Sequence, residues 1–201
     1  MFRRGLVSAV ALVWMCAGAR SQVIEFESNG LKYQTLTKRG VTVMFAHMPA
    51  HVRDFAIIQV AISNGSSGPY VIRPEDFVFE RQGGVAIRAA SAKDVVGLLV
   101  EKGGRNDVIK LVSAYESALY GFSRMHSTNG YEQRRQQALA EVSSTKLKAA
   151  AAASAIALIQ TKLLSGESTD GAIFFPTYGK PLGSGRLFMR TNTDSFEFNR
   201  E

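Results

Sequence analysis

The 201-residue sequence predicts a mainly β fold with a helical insertion, in which the strands form a two-sheet sandwich or a barrel. Three observations support this prediction. Short segments of strand-forming residues, separated by turn residues about every ten positions, occupy residues 23–90 and return at 171–199. Between them, from residue 91 to 164, the apolar residues follow a helical period and strand formers are scarce.

The first 19 residues have the layout of a secretory signal peptide. Arg3 and Arg4 precede an apolar stretch of about a dozen residues, and Ala17-Gly18-Ala19 supplies small residues around a cleavage site. The stretch is too short for a membrane-spanning helix, which needs about 20 apolar residues. We therefore expect cleavage after Ala19 and a periplasmic or secreted mature chain.

Removal of this leader changes the composition of the chain. The net charge falls from +7 to +5 because Arg3 and Arg4 are lost, and the only cysteine, Cys16, leaves as well. A mature chain without disulfides depends on core packing, for which about 180 residues suffice. The remaining positive charge is thinly spread and not interleaved with aromatic residues. We therefore expect no nucleic-acid partner, and at most weak attraction to an anionic envelope surface.

The clearest predicted strand is FAIIQVAISN, residues 55–64. Its alternation gives one face the side chains of Ala56, Ile58, Val60 and Ile62 and places Gln59 and Ser63 on the other. Turn signals follow at Asn64-Gly65, Gly68-Pro69 and Gly83-Gly84. The Gly-Gly pair is expected to join two further short strands, DFVFER and VAIRA, as a hairpin.

The helical insertion begins with two short predicted helices. Ser91 followed by Asp94 is a capping pair for the first helix, which stops at Gly103-Gly104. Asp107 is expected to start the second helix, and Asn129-Gly130 to end it.

A long helix is predicted from about Tyr131 to Leu164, on the order of 50 Å at 1.5 Å per residue. Its 13 uncharged residues between Lys148 and Lys162 are too few to span a bilayer unaided. The run is apolar on both sides, which is typical of a helix buried on two sides. Two interpretations stay open: the helices pack as a hairpin on their own sandwich, or one face docks another subunit or a membrane surface. The candidate interaction residues are Ala149, Ala152, Ile156, Leu158 and Ile159.

Two stretches carry a resemblance to a known family. VAISN (60–64), followed by IRPEDFVF (72–79) and Gly83-Gly84, resembles bacterial exported immunoglobulin-like sandwich domains, in which an Ile-x-Pro-x-Asp-Phe segment starts a strand before a hairpin. The three closing strands, GAIFFPTY, GRLFMRT and SFEFN, are similar to the tail of those domains. The resemblance covers about half of the chain.

This resemblance implies an immunoglobulin-like β-sandwich that carries a helical hairpin or arm between its early and last strands. The chain is then divided into the signal peptide (1–19), the first strands (20–90), the helical insertion (91–165) and the last strands of the same sandwich (166–201). Domains of this family are mostly of unassigned function, and those with a known role act as binding or assembly modules. The helical insertion is where this sequence departs from a plain sandwich.

Candidate chemistry is sparse in the sequence. The mature chain has no cysteine nucleophile and no Gly-x-Ser-x-Gly motif, so we predict a non-catalytic protein without a cofactor. The weak candidates for a metal site are Met44, His47, Met48 and His51, whose thioether and imidazole groups suit copper. Pro49 prevents these residues from sharing a helical face.

Three functional hypotheses follow from these observations. The first is an exported binding or assembly module that uses the helical segment to contact another envelope protein or a second copy of itself. The second is a peripheral envelope protein whose apolar helix lies on a membrane surface. The third is a copper carrier that uses the Met and His residues.

Overall fold

The computed structural model describes residues 22–119, 121–122, 131–140 and 142–200. The predicted signal peptide and the predicted helix break at Asn129-Gly130 lie outside these ranges. Within them the chain is rich in antiparallel β-structure, as the sequence predicts. The strands are β1 (Ile24–Ser28), β2 (Leu31–Lys38), β3 (Val41–Val52), β4 (Phe55–Asn64), β5 (Tyr70–Ile72), β6 (Phe77–Arg81), β7 (Ala86–Arg88), β8 (Thr161–Leu163), β9 (Ser168–Pro176), β10 (Gly185–Arg190) and β11 (Ser195–Arg200).

The described strands form two larger sheets and one small one. The five-stranded sheet has the order β1-β2-β3-β4-β9, and the four-stranded sheet has the order β11-β10-β6-β7. β5 and β8 pair separately. Because β9 pairs with β4 and β10 pairs with β6, the strands before and after the helices lie in the same sheets.

The four-stranded sheet packs on one face of the five-stranded sheet. Ile58 and Val60 of β4 are fully buried in the core between the two sheets, where they meet Phe77 and Phe79 of β6. These β4 residues belong to the apolar face that the alternation predicts, so the predicted register of this strand is confirmed. The Gly83-Gly84 hairpin is also confirmed, because β6 and β7 pair across it.

Helices cover the opposite face of the five-stranded sheet. They are α1 (Ala92–Lys102), α2 (Arg105–Leu119), α3 (Tyr131–Ala140) and α4 (Thr145–Ile156). Leu99, Leu111 and Ile156, from three of these helices, share one apolar core with Ile57 and Phe174 of the sheet. β4 therefore lies in the middle of the molecule with both of its faces buried.

The starts of α1 and α2 are built by local hydrogen bonds. Ser91 Oγ accepts a hydrogen bond from the Asp94 backbone nitrogen at 3.2 Å, which confirms the predicted cap of α1. The Asp107 carboxylate accepts from the Gly104 nitrogen at 2.8 Å and forms an ion pair with Arg53 Nη2 at 2.7 Å. Since Arg53 lies in the turn between β3 and β4, this pair ties the start of α2 to the end of the sheet.

The prediction of a single long helix from Tyr131 to Leu164 is wrong. α3 ends at Ala140, α4 begins at Thr145, and α4 ends at Ile156. The chain after Ile156 instead becomes the short strand β8, which pairs with β5. A continuous apolar run is compatible with a buried helix or a buried strand, and here the distant partner β5 decides between them.

The link after α4 carries the chain across the edge of the larger sheet. Ala157 is buried among the helices, whereas Leu158 is buried between the two sheets. The Leu158 nitrogen donates to the Ala172 carbonyl of β9 at 2.8 Å. A Cβ atom on Gly171 would lie only 2.6 Å from the Leu158 Cα atom, so this close approach requires glycine.

Candidate functional site

The structure places the candidate interaction residues of the alanine-rich segment inside the molecule. Ala149, Ala152 and Ile156 of α4 are buried in the helix-side core, and Leu158 is buried between the sheets. Ile159 is 48% exposed and follows the end of the helix. Ala149, Ala152 and Ile156 lie together, but they pack against other core residues of the same chain. Within the part of the chain that the structure describes, no helix combines the length and apolar character needed to span a bilayer.

The Met and His candidates for a metal site all lie on β3 but do not converge. Met44 and Met48 pack into the core beneath the helices. The His47 ring packs edge-on against Phe45, 5.1 Å between ring centroids, on the opposite face of the sheet. His51 Nε2 lies 3.2 Å from the Lys180 carbonyl oxygen. The described residues contain no cluster of three or more His, Cys, Asp or Glu side chains that would hold a metal ion.

The outer edge of the larger sheet offers a different candidate site. In the described chain, β1 pairs with β2 alone, so one edge of its backbone is left without a strand partner. Its side chains are mostly exposed on both faces. Ile24 is 61% and Phe26 is 36% exposed, and both lie on the helix side of the sheet. Glu25 and Glu27 are exposed on the other side.

β1 exists because Asn29-Gly30 forms a tight hairpin turn. Both residues have positive φ angles, 51° and 71°, the combination that two-residue hairpins favour. This turn is not among the predicted ones, although Asn-Gly between the alternating segments IEFE and LKYQ is a strong hairpin signal. This signal is the one from which the candidate edge was predictable.

A groove lies where the β1–β2 hairpin and β3 separate. β2 pairs with β3 only from Tyr33 opposite Ala46 onward, and β3 has an irregularity between His47 and His51. The resulting groove has a volume of about 580 Å³. Its lining includes the exposed ring of Phe26 and the acceptors Glu25, Glu27 and Gln34, together with the cation of Lys32, which pairs opposite Glu27.

The floor of the groove is held by contacts to other layers. The Tyr33 ring stacks on Phe26 with 5.0 Å between centroids, and its hydroxyl donates to the Ala118 carbonyl at 3.0 Å. Burial raises the pKa of the Tyr33 phenol, so this donor stays protonated. A Cβ atom on Gly121 would overlap the Tyr33 ring, so glycine permits the C-terminal end of α2 to cover it.

Gln34 links the groove to the smaller sheet through its side-chain amide, whose oxygen and nitrogen differ in their hydrogen bonding. Its Nε2 donates to the Glu25 carboxylate and to the Asn199 carbonyl of β11, the latter at 2.6 Å. Its Oε1 is buried, and no hydrogen-bond donor reaches it from the residues that the structure describes. The exposed carboxylates of Glu25 and Glu27 and the exposed ring of Phe26 suit a ligand with positively charged donors and apolar groups.

No protein-family model, curated protein or solved structure matches this chain. The geometry of the β1 edge and the groove beside it therefore supports the function proposed below.

Proposed function

We propose that this chain is an exported, non-catalytic binding or assembly module whose partner binds at the free edge of β1 and the adjacent groove. The observation that carries this proposal is the edge strand itself. Its backbone is unpaired within the described chain, its apolar side chains are exposed, and an acceptor-rich groove lies beside it. Natural proteins protect such an edge with charged side chains, proline or a covering segment, and IEFES has two glutamates but no proline.

The strand order supports an immunoglobulin-like origin for the two sheets. Immunoglobulin-type domains have strands A, B and E adjacent in one sheet and G, F, C and C′ in the other. Here β3, β4 and β9 are neighbours in one sheet, and the other has the order β11-β10-β6-β7, with matching antiparallel pairings. On this assignment the helices replace strand D, and the β1–β2 hairpin is an addition outside strand A.

The burial of the α4 alanines moves the proposed partner surface away from the helical segment. Five alanines of α4 are buried by the chain's own residues, so this apolar face is not available to lipid or to another subunit. β1, in contrast, is the outermost strand of the larger sheet and lies beyond β2, which contacts β11 of the smaller sheet through Gln34. Export remains part of the proposal because of the leader-like first 19 residues.

Site-specific photo-crosslinking tests the location of the partner surface. A photoreactive phenylalanine analogue would replace Phe26 on β1, Leu147 on α4 or Tyr178 in the exposed loop after β9, and each variant would be irradiated in its native envelope. Leu147 and Tyr178 are matched controls because they are also exposed, by 46% and 82%. We expect a discrete adduct from position 26 that a β1 charge reversal, Glu25→Lys with Glu27→Lys, removes.

Two outcomes would contradict this assignment. An adduct from position 147 with none from position 26 would return the partner surface to the helical segment. Adducts of equal yield from all three positions would show random collisions rather than a binding site. Thermal unfolding of each variant before irradiation establishes that all of them are folded.

A further inference from the structure

We infer that the partner contributes an extended segment that adds to β1 as a sixth strand and carries basic side chains toward Glu25 and Glu27. This inference rests on the proposed function and names the class of partner that the same site recognises. An exposed sheet edge binds such segments through backbone hydrogen bonds, and the side chains beside the edge determine which sequence is accepted.

The two faces of β1 define the pattern that a sixth strand must have. On one face, Glu25 and Glu27 are exposed and lie two positions apart. On the helix side, Ile24 and Phe26 leave apolar surface exposed. Side chains in a strand alternate between the faces, so a complementary segment alternates basic and apolar residues.

Charge complementarity also argues against a second copy of this chain as the occupant. In an antiparallel pair of β1 strands centred on Phe26, Glu25 of each copy faces Glu27 of the other. Like charges directly opposite one another in a sheet are destabilising, and two such pairs would form. Glu25 and Glu27 give β1 two negative charges, one of them opposite Lys32 of β2, in a chain whose net charge is +7.

The binding experiment uses a fluorescent peptide of alternating lysine and valine and the full chain. Anisotropy titration measures the dissociation constant, and backbone hydrogen exchange locates the contact. We expect saturable binding, slower exchange in residues 24–28, and affinity that falls as salt is raised. An alternating glutamate and valine peptide, and a lysine and valine peptide with every backbone nitrogen methylated, are expected not to bind. The first has the wrong charge and the second cannot donate to the edge.

Charge reversal on the protein tests the role of the two glutamates. Glu25→Lys with Glu27→Lys is expected to weaken binding of the lysine and valine peptide by at least about tenfold, because two attractive pairs become repulsive. Glu101→Lys on α1 is the matched control, since Glu101 is exposed and far from β1 in the fold. This control is expected to leave the dissociation constant unchanged.

The outcomes separate this inference from the proposed function. Equal binding of the basic and acidic peptides, or of the methylated peptide, would overturn the inference of a basic sixth strand. Dimerisation of the chain that is lost on charge reversal at β1 would also overturn it, in favour of a second copy. If the peptide fails to bind while position 26 still gives its adduct, the site stands and the partner class is wrong. If both fail, the proposed function fails as well.

Discussion

At the scale of single residues, the helix-covered face of β4 buries a polar side chain, Gln59. The alternation of β4 places Gln59 opposite the apolar face, and the structure buries it completely beneath the helical layer. Neither polar atom of its amide has a hydrogen-bond partner among the described residues. Burial of an unpaired amide costs about 1–3 kcal/mol in protein mutational data, so Gln59 lowers the stability of the fold.

We therefore expect Gln59→Met to raise the free energy of unfolding by about 1 kcal/mol, because methionine fills a similar volume without polar atoms. Denaturant unfolding monitored by circular dichroism measures the change. Gln82→Met in the exposed turn after β6 is the control and is expected to be neutral. A loss of stability in Gln59→Met would mean that a buried water molecule satisfies the amide.

At the scale of elements, α4 depends on small side chains for close packing. Ala152 is 1% exposed and lies in the helix-side core, while Ser154 of the same helix is exposed. At the other end of this contact, a Cβ atom on Gly103 would come within 2.9 Å of the Ala149 Cβ atom, so α1 approaches α4 with no room to spare. This face of α4 has no space for larger side chains.

Ala152→Leu is expected to lower the free energy of unfolding by about 1–3 kcal/mol through overpacking. Ser154→Leu introduces the same side chain on the exposed face of α4 and is expected to change stability by less than about 0.5 kcal/mol. The same denaturant titration applies to both variants. Equal effects at the two positions would show that α4 is not packed through its alanines.

The sequence predicts those elements whose signals are local. The cap at Ser91 and the Gly83-Gly84 hairpin depend on neighbouring residues, and both are confirmed. β8 is missed because Thr161–Leu163 becomes a strand only through pairing with β5, about 90 residues earlier. The groove beside β1 is harder still to predict from the sequence. It depends on which faces of β1 and β2 the helices and the smaller sheet leave uncovered, and this is decided by long-range packing.

At the scale of the whole molecule, the helices are a structural layer. They cover a sheet face that includes Ile57 and Phe174, and Leu158 and Leu163 from the same insertion are buried between the sheets. The helical segment 91–165 therefore supplies parts of both cores. The strand-forming regions on either side of it bury the core between the sheets, but they leave the helix-side face of the larger sheet uncovered.

Deletion of residues 91–165 with a short Gly/Ser link is expected to abolish cooperative unfolding and to produce aggregates. Circular dichroism on heating and size-exclusion chromatography measure these two effects. Adding Ile57→Thr and Phe174→Thr to the deletion makes the uncovered face more polar and is expected to reduce aggregation without restoring full stability. A deletion variant that unfolds cooperatively as a monomer would show that the sheets fold alone and that the helices are dispensable.

The position of β9 has a consequence for the order in which the chain is made. β4 is paired on one side with β3, but its other partner is β9, whose residues Ser168–Pro176 are synthesised more than a hundred positions later. Until those residues emerge, the edge of β4 that pairs with β9 is open, and an unpaired strand edge is prone to aggregation. A nascent chain that ends at Gly166 should leave β4 open to protease, whereas one that ends at Glu201 should protect it.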